Sequence, residues 1–179
     1  YVNGVRRGEV YADSQQPNSD YVSSWFPDAD GGQIFKIDDW FEFSEFATME
    51  FNVNARLERY ADSLGQPHKT RYRWSWERKS NRTLDDDYSS LLNLVEALNN
   101  PDEAQYTRRV RDVIDLDGWL RTIATRRVVG DWDGYGYSRG KNTFMYLPPG
   151  GRWHLLLWDL DFSLGGGSDG PSTDLYTAE

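Results

Sequence analysis

The chain has 179 residues, 38 % of them hydrophobic, with 8 Trp, 11 Tyr and 8 Phe, which suits a single domain (1–179) with a substantial core. Its formal net charge of −9 argues against non-specific binding to nucleic acid or to an anionic membrane face. The absence of cysteine excludes disulfides, zinc–thiolate centres and thiol nucleophiles, and no apolar run approaches the roughly 20 residues of a membrane helix.

The sequence opens directly into YVNGVRRGEVYAD with no initiator Met. A fragment or processed form is therefore expected, with an N-terminal part of the domain absent. Residues 1–12 read as extended, Val2, Val5, Val10 and Tyr11 being β-favouring. NSDYVSSWFP predicts a short helix capped by Asn18 or Ser19, with Tyr21, Val22, Trp25 and Phe26 on one face and Pro27 at its end. DADGG (28–32) is a turn, and QIFKI (33–37) a short strand. Met49, Phe51, Val53, Ala55 and Leu57 alternate at period two, as do Tyr72, Trp74 and Trp76. With the DSLGQP turn (62–67) between them, 48–78 is expected to form a long antiparallel hairpin.

From residue 84 the period becomes helical: Tyr88, Leu91, Leu92, Val95 and Leu98 fall on one face. Asn100 and Pro101 predict the cap and first turn of a second helix, with Asp102 and Glu103 at its positive end. Asp115 is expected to cap a third helix with Leu116, Trp119, Leu120 and Ile123 on its apolar face, closed by Gly130. A loop, the strand NTFMYL, the turn PPGG and the strand RWHLLLW complete the chain up to Asp159. Strands, then helices, then a hairpin make the expected class α+β.

Two pairs of acids bracket that last hairpin, Asp131/Asp133 and Asp159/Asp161. At the end of a strand, residues i and i+2 share a face, so Asp159 and Asp161 could converge on one hard cation that bridges to phosphates. Solvated acids in a strand-end turn are the alternative, because a bare D-x-D is common by chance. Glycines at 165–167 would allow close backbone approach. Asp133 could accept a proton from a substrate hydroxyl, with Asn142 as a further metal ligand; equally, Asp-Gly is a turn signal. DADGG has the start of a calcium loop but neither its later ligands nor its final Glu.

The order WDGY…KNTFMYL…GRWH…WDLDFSLGG resembles the CotH kinase-like family. The specific part lies in 128–167, and GVRRGEVY, GGQIFKI, LNN and IDLDGWLR extend a looser likeness over about residues 4 to 167. The resemblance implies an atypical protein-kinase-like fold: N-terminal strands and a long hairpin, central helices and a C-terminal catalytic hairpin. It implies binding of ATP with Mg²⁺ or Mn²⁺, and phosphoryl transfer to Ser, Thr or Tyr hydroxyls of secreted, coat or envelope proteins. An extracellular or cell-envelope location follows from the same resemblance. Carried over residue by residue, Asp133 is the proton acceptor, Asn142 a metal ligand, Asp161 the second metal ligand with Asp159 assisting, and Lys36 the candidate for phosphate binding. The stretch GYGYSRGK between Asp133 and Asn142 is longer than in the shortest family versions. Two other functions remain open at this point. One is a non-catalytic binding or adhesive module on the same fold. The other is a D-x-D glycosyltransferase in which Asp159 and Asp161 hold a metal-bound nucleotide sugar.

Overall fold

A computed structural model describes residues 3–5, 15–37, 42–43, 49–50, 55–80, 86–131, 134–135, 141–161 and 163–164. The elements run α1 (Ser19–Trp25), β1 (Gln33–Ile37), β2 (Glu42–Phe43), β3 (Met49–Glu50), α2 (Lys69–Ser75), β4 (Trp76–Arg78), α3 (Ser89–Leu98), α4 (Glu103–Val113), α5 (Leu116–Val128), β5 (Thr143–Leu147) and β6 (His154–Leu156). Helices and antiparallel sheet are mixed, as an α+β class requires.

The main sheet has the order β4-β1-β5-β6, and every pairing in it is antiparallel. Lys36 stands opposite Glu77 on one side and Phe144 on the other, and Phe144 in turn stands opposite Leu156. Each face of this sheet buries its own cluster. Phe35, Ile37, Trp76, Met145 and Leu155 pack with Leu91, Leu94 and Val95 of α3 and Trp119 of α5. Ile34, Phe144, Tyr146 and Leu156 pack on the opposite face with Val22 of α1. Alternate residues of β1 and β5 thus serve opposite faces, which is why these strands read as nearly continuous apolar runs.

The connection from α4 to α5 runs alongside the start of β6. Trp153 N–H donates to the Val113 carbonyl at 2.8 Å, and Asp115 N–H donates to the Trp153 carbonyl at 3.0 Å. Trp119 Nε1 donates to that same carbonyl at 2.8 Å, and Thr122 Oγ1 donates to the Leu155 carbonyl at 3.2 Å. Helix α5 therefore satisfies backbone groups on the outer side of β6 that an edge strand would leave open. At the same end of the β5–β6 hairpin, the turn over 28–32 lies against the close of β5. Tyr146 Oη donates to the Ala29 carbonyl and accepts from Gly32 N–H. A Cβ at Gly32 would stand 2.1 Å from the Leu147 carbonyl oxygen, so only glycine fits.

Helix α1 begins where its signals placed it, with Asn18 Oδ1 accepting from Tyr21 N–H at 3.0 Å. Helix α5 is capped by Asp115, and Gly130 follows its end at φ 66°. Three expectations need correction. The long hairpin over 48–78 does not form: residues 69–75 are helix, and only Trp76–Arg78 continue as strand. Tyr72 and Trp76 are buried four residues apart while Trp74 is 43 % exposed, which is helical spacing rather than alternation. Strand β3 covers only Met49–Glu50 and pairs with β2, and residues 51–54 lie outside the described residues. The second central helix starts two residues later than expected, because Asp102, not Asn100, accepts from the Ala104 N–H. Finally, β6 ends at Leu156, three residues before Asp159. Of residues 1–12, only 3–5 are described, with Asn3 and Gly4 in a turn.

Candidate functional site

Lys36, Asn142 and the segment bearing Asp159 and Asp161 lie at one end of the main sheet. Lys36 is the penultimate residue of β1, Asn142 immediately precedes β5, and Asp159 and Asp161 follow β6. In an antiparallel sheet of this order, the end of β1, the start of β5 and the end of β6 coincide.

The link that joins them is a residue the sequence analysis did not single out. Arg126, on the last turns of α5, is 2 % exposed, and its Nη1 is bound to the carboxylate of Asp131, itself 1 % exposed. Its Nη2 donates to the Asn142 carbonyl at 2.7 Å and to the Trp158 carbonyl at 2.6 Å. One planar guanidinium therefore fastens three separate segments: the loop after α5, the approach to β5 and the exit from β6. A lysine could not do this, because the guanidinium fork presents fixed, divergent N–H donors. From sequence alone, Arg126 and Arg127 read as cations favoured at a helix C-terminus. Nothing local distinguishes the buried one from its neighbour.

Asn142 and the residue after Trp158, Asp159, both have left-handed backbone, at φ 52° and φ 56°. Asn and Asp tolerate this conformation better than other non-glycine residues, since their short polar side chains can bond locally. The Asp159 backbone turns sharply away from the strand direction. Asp159 and Asp161 are thus not two same-face residues of a strand, and the i, i+2 argument for their convergence does not apply. Both are exposed, whereas Asn142 is half-buried. The chain beyond them is tied back: Ser163 N–H and Oγ both donate to the Leu160 carbonyl, and Leu164 N–H donates to the Val129 carbonyl at 2.6 Å.

The described residues on either side of Asp133, namely Asp131, Gly134 and Tyr135, are closely packed. Asp131 is fixed by Arg126, and Gly134 packs so closely on that ion pair that a Cβ would stand 2.0 Å from Arg126 Nη1 and 2.6 Å from Asp131 Oδ2. Tyr135 places its ring 6.4 Å from that of Trp76, edge to face. Burial pushes the Tyr135 hydroxyl well above the usual tyrosine range, with a backbone hydrogen bond at Leu57 partly opposing the shift. Asp133 itself lies outside the described residues. Among the described residues, no three His, Cys, Asp or Glu side chains are grouped closely enough to hold a metal ion. The expected set differs in kind, since it combines Asp159 and Asp161 with an amide, Asn142. All three are oxygen donors, as a hard cation such as Mg²⁺ or Mn²⁺ requires. Lys36 is half-buried, in register between Glu77 and Phe144, and Trp158 meets Phe144 edge-on at 5.5 Å.

The sequence model of the family described as CotH kinase protein matches residues 1–178. The inner spore coat protein H of Bacillus subtilis (strain 168) is 26 % identical over 168 residues, which cover 92 % of this chain and 39 % of that protein. The chain thus spans about two fifths of the length of that relative. No solved structure matches, and among the described residues no helix is long and apolar enough to cross a membrane. With the match running through nearly the whole chain and including every candidate residue, the chain belongs to the CotH kinase protein family.

Proposed function

We propose that this domain transfers the γ-phosphoryl group of ATP to hydroxyl groups of protein substrates, with Mg²⁺ or Mn²⁺. The observation that carries the reading is the Arg126 contact set, which brings the backbone beside Asn142 and Asp159 to one point and anchors the loop leading to Asp133. Two residues of chain, at most roughly 7 Å of reach, separate Asp133 from each of its anchored neighbours Asp131 and Tyr135. In this reading Asp133, two residues from each of Asp131 and Tyr135, serves the same end of the sheet as the proposed metal ligands.

In this reading Asn142, Asp159 and Asp161 would hold the divalent cation, which would supply charge neutralisation for the phosphates of ATP. Lys36 offers a positive charge to the phosphates from the neighbouring strand. Asp133 accepts the proton of the attacking hydroxyl as its oxygen bonds to the γ-phosphorus. The bond from that phosphorus to the bridging oxygen breaks, and its electron pair leaves with ADP. Positioning and charge stabilisation, rather than covalent chemistry by the protein, supply most of the lowered barrier in such reactions. Substrates in a coat or envelope, and an extracellular or envelope location, accord with the Bacillus subtilis relative being named an inner spore coat protein.

Thermal unfolding with ATP, Mn²⁺, both or neither tests the nucleotide site. Ligand at 100 times Kd should stabilise the protein by roughly 2.7 kcal/mol, only with both present, and Asp161→Ala should abolish the shift. Asp133→Ala should keep the shift but lose transfer of labelled phosphate to an acceptor protein. Binding without transfer in the unaltered protein would refute catalysis and favour a binding module. Stabilisation by a nucleotide sugar in preference to ATP would favour a glycosyltransferase.

A further inference from the structure

We infer that Arg126 is a positioning residue for the metal–nucleotide site, setting the relative placement of Asn142, Asp159 and Asp131 through its contacts to backbone and to the Asp131 carboxylate. The inference rests on the phosphoryl-transfer reading above. Its grounds are the geometry of a single buried side chain. Nη2 meets two carbonyls that belong to different strand ends, and each carbonyl lies at or next to a proposed ligand: that of Asn142 itself, and that of Trp158 directly before Asp159. Nη1 meets Asp131, two residues before Asp133.

A structural ion pair would need only the Arg126–Asp131 contact. The two carbonyl contacts add something different, since they couple the left-handed turns at Asn142 and Asp159 to one rigid plane. Helix α5 is itself held to β6 through Thr122 and Trp119, so the plane is mounted on an element already docked to the sheet. Gly134 closes over the other side of the ion pair, where any side chain would displace it. Groups that orient metal ligands from behind in this way commonly govern metal affinity by 10–100-fold when removed.

Arg126→Met combined with Asp131→Leu separates positioning from folding. Replacing a buried ion pair by apolar residues of similar size is often neutral for stability, so the double variant should still unfold cooperatively. It has lost the two donors to the carbonyls. The expected result is Mn²⁺–ATP affinity weaker by roughly 10–100-fold, with faster hydrogen exchange confined to residues 141–147 and 154–161. Affinity within about threefold of the original in the folded double variant, or unchanged exchange in those segments, would overturn the inference. Should the double variant fail to fold, Arg126→Lys takes its place. It keeps a cation for Asp131 without the fork, and the same losses are expected, with unchanged affinity again overturning the inference. If the unaltered chain binds no Mn²⁺–ATP at all, the phosphoryl-transfer reading fails, and the positioning role fails with it. Exchange would then still show whether Arg126 holds the two strand ends, so the two failures are distinguishable.

Discussion

At the scale of single residues, the four aspartates that bracket the last hairpin divide differently from their pairing in the sequence. Asp131 is a buried partner of Arg126, while Asp159 and Asp161 are exposed at the end of the sheet. Removing one member of a buried pair leaves the other charge without its counterion in low dielectric, where hydration cannot compensate. Asp131→Ala should therefore cost about 3–5 kcal/mol of stability, measured as a fall in the urea midpoint at unchanged slope. A loss below about 1 kcal/mol, the usual range for exposed pairs, would show that the pair is solvated. The D-x-D pattern drew attention to the chain after β6, yet Arg126, which ties that chain to the approach to β5, carries no local signature.

At the scale of elements, strong local signals located helices and strands well, and weak ones failed for identifiable reasons. Helix α3 follows its apolar spacing, with Leu91, Leu94 and Val95 buried. Period two over Tyr72, Trp74 and Trp76 was misleading because aromatic residues favour strands only when both neighbours pack against a sheet. Here the hydroxyl of Tyr72 instead donates to the Glu58 carbonyl at 2.7 Å and accepts from Tyr60 N–H, while Arg71 stacks on the Tyr60 ring at 3.3 Å. Those contacts favour one helical turn after another over 69–75. For α4, the side chain of Asp102 accepts from Ala104 N–H at 3.1 Å and from Gln105 Nε2 at 2.5 Å. Asp102→Ala should cost about 1 kcal/mol, read as a lower thermal midpoint. An unchanged midpoint would mean that Asn100 and Pro101 set the helix start after all.

At the scale of the whole molecule, the two clusters on either face of the sheet bury several tyrosines. Burial raises the hydroxyl pKa of Tyr21, Tyr72, Tyr88, Tyr135 and Tyr146 above its ordinary value of 10.0. Above that value the unfolded chain loses protons that the folded chain keeps, so unfolding releases protons and stability falls as pH rises. The contribution is fully present below about pH 10 and is lost progressively above it. Urea midpoints measured from about pH 8 to about pH 11 should decline beyond pH 10, less steeply in Tyr135→Phe. A flat profile would contradict burial of these hydroxyls.

Several properties followed from the sequence alone: the α+β class, the short strand at 33–37, the caps Asn18 and Asp115, the hairpin of 143–156 and the family to which the chain belongs. Each rests on neighbours close in the chain or on a motif that survives without its context. The tertiary structure decided that β1 sits between β4 and β5, that residues 69–75 coil, and that Arg126 is the buried member of its Arg pair. These outcomes depend on contacts between segments far apart in the chain, such as Lys36 opposite Phe144 and Arg126 beneath Trp158. Their free energy comes from burial and from satisfying backbone carbonyls inside the fold, and neither term exists until the distant partner has arrived.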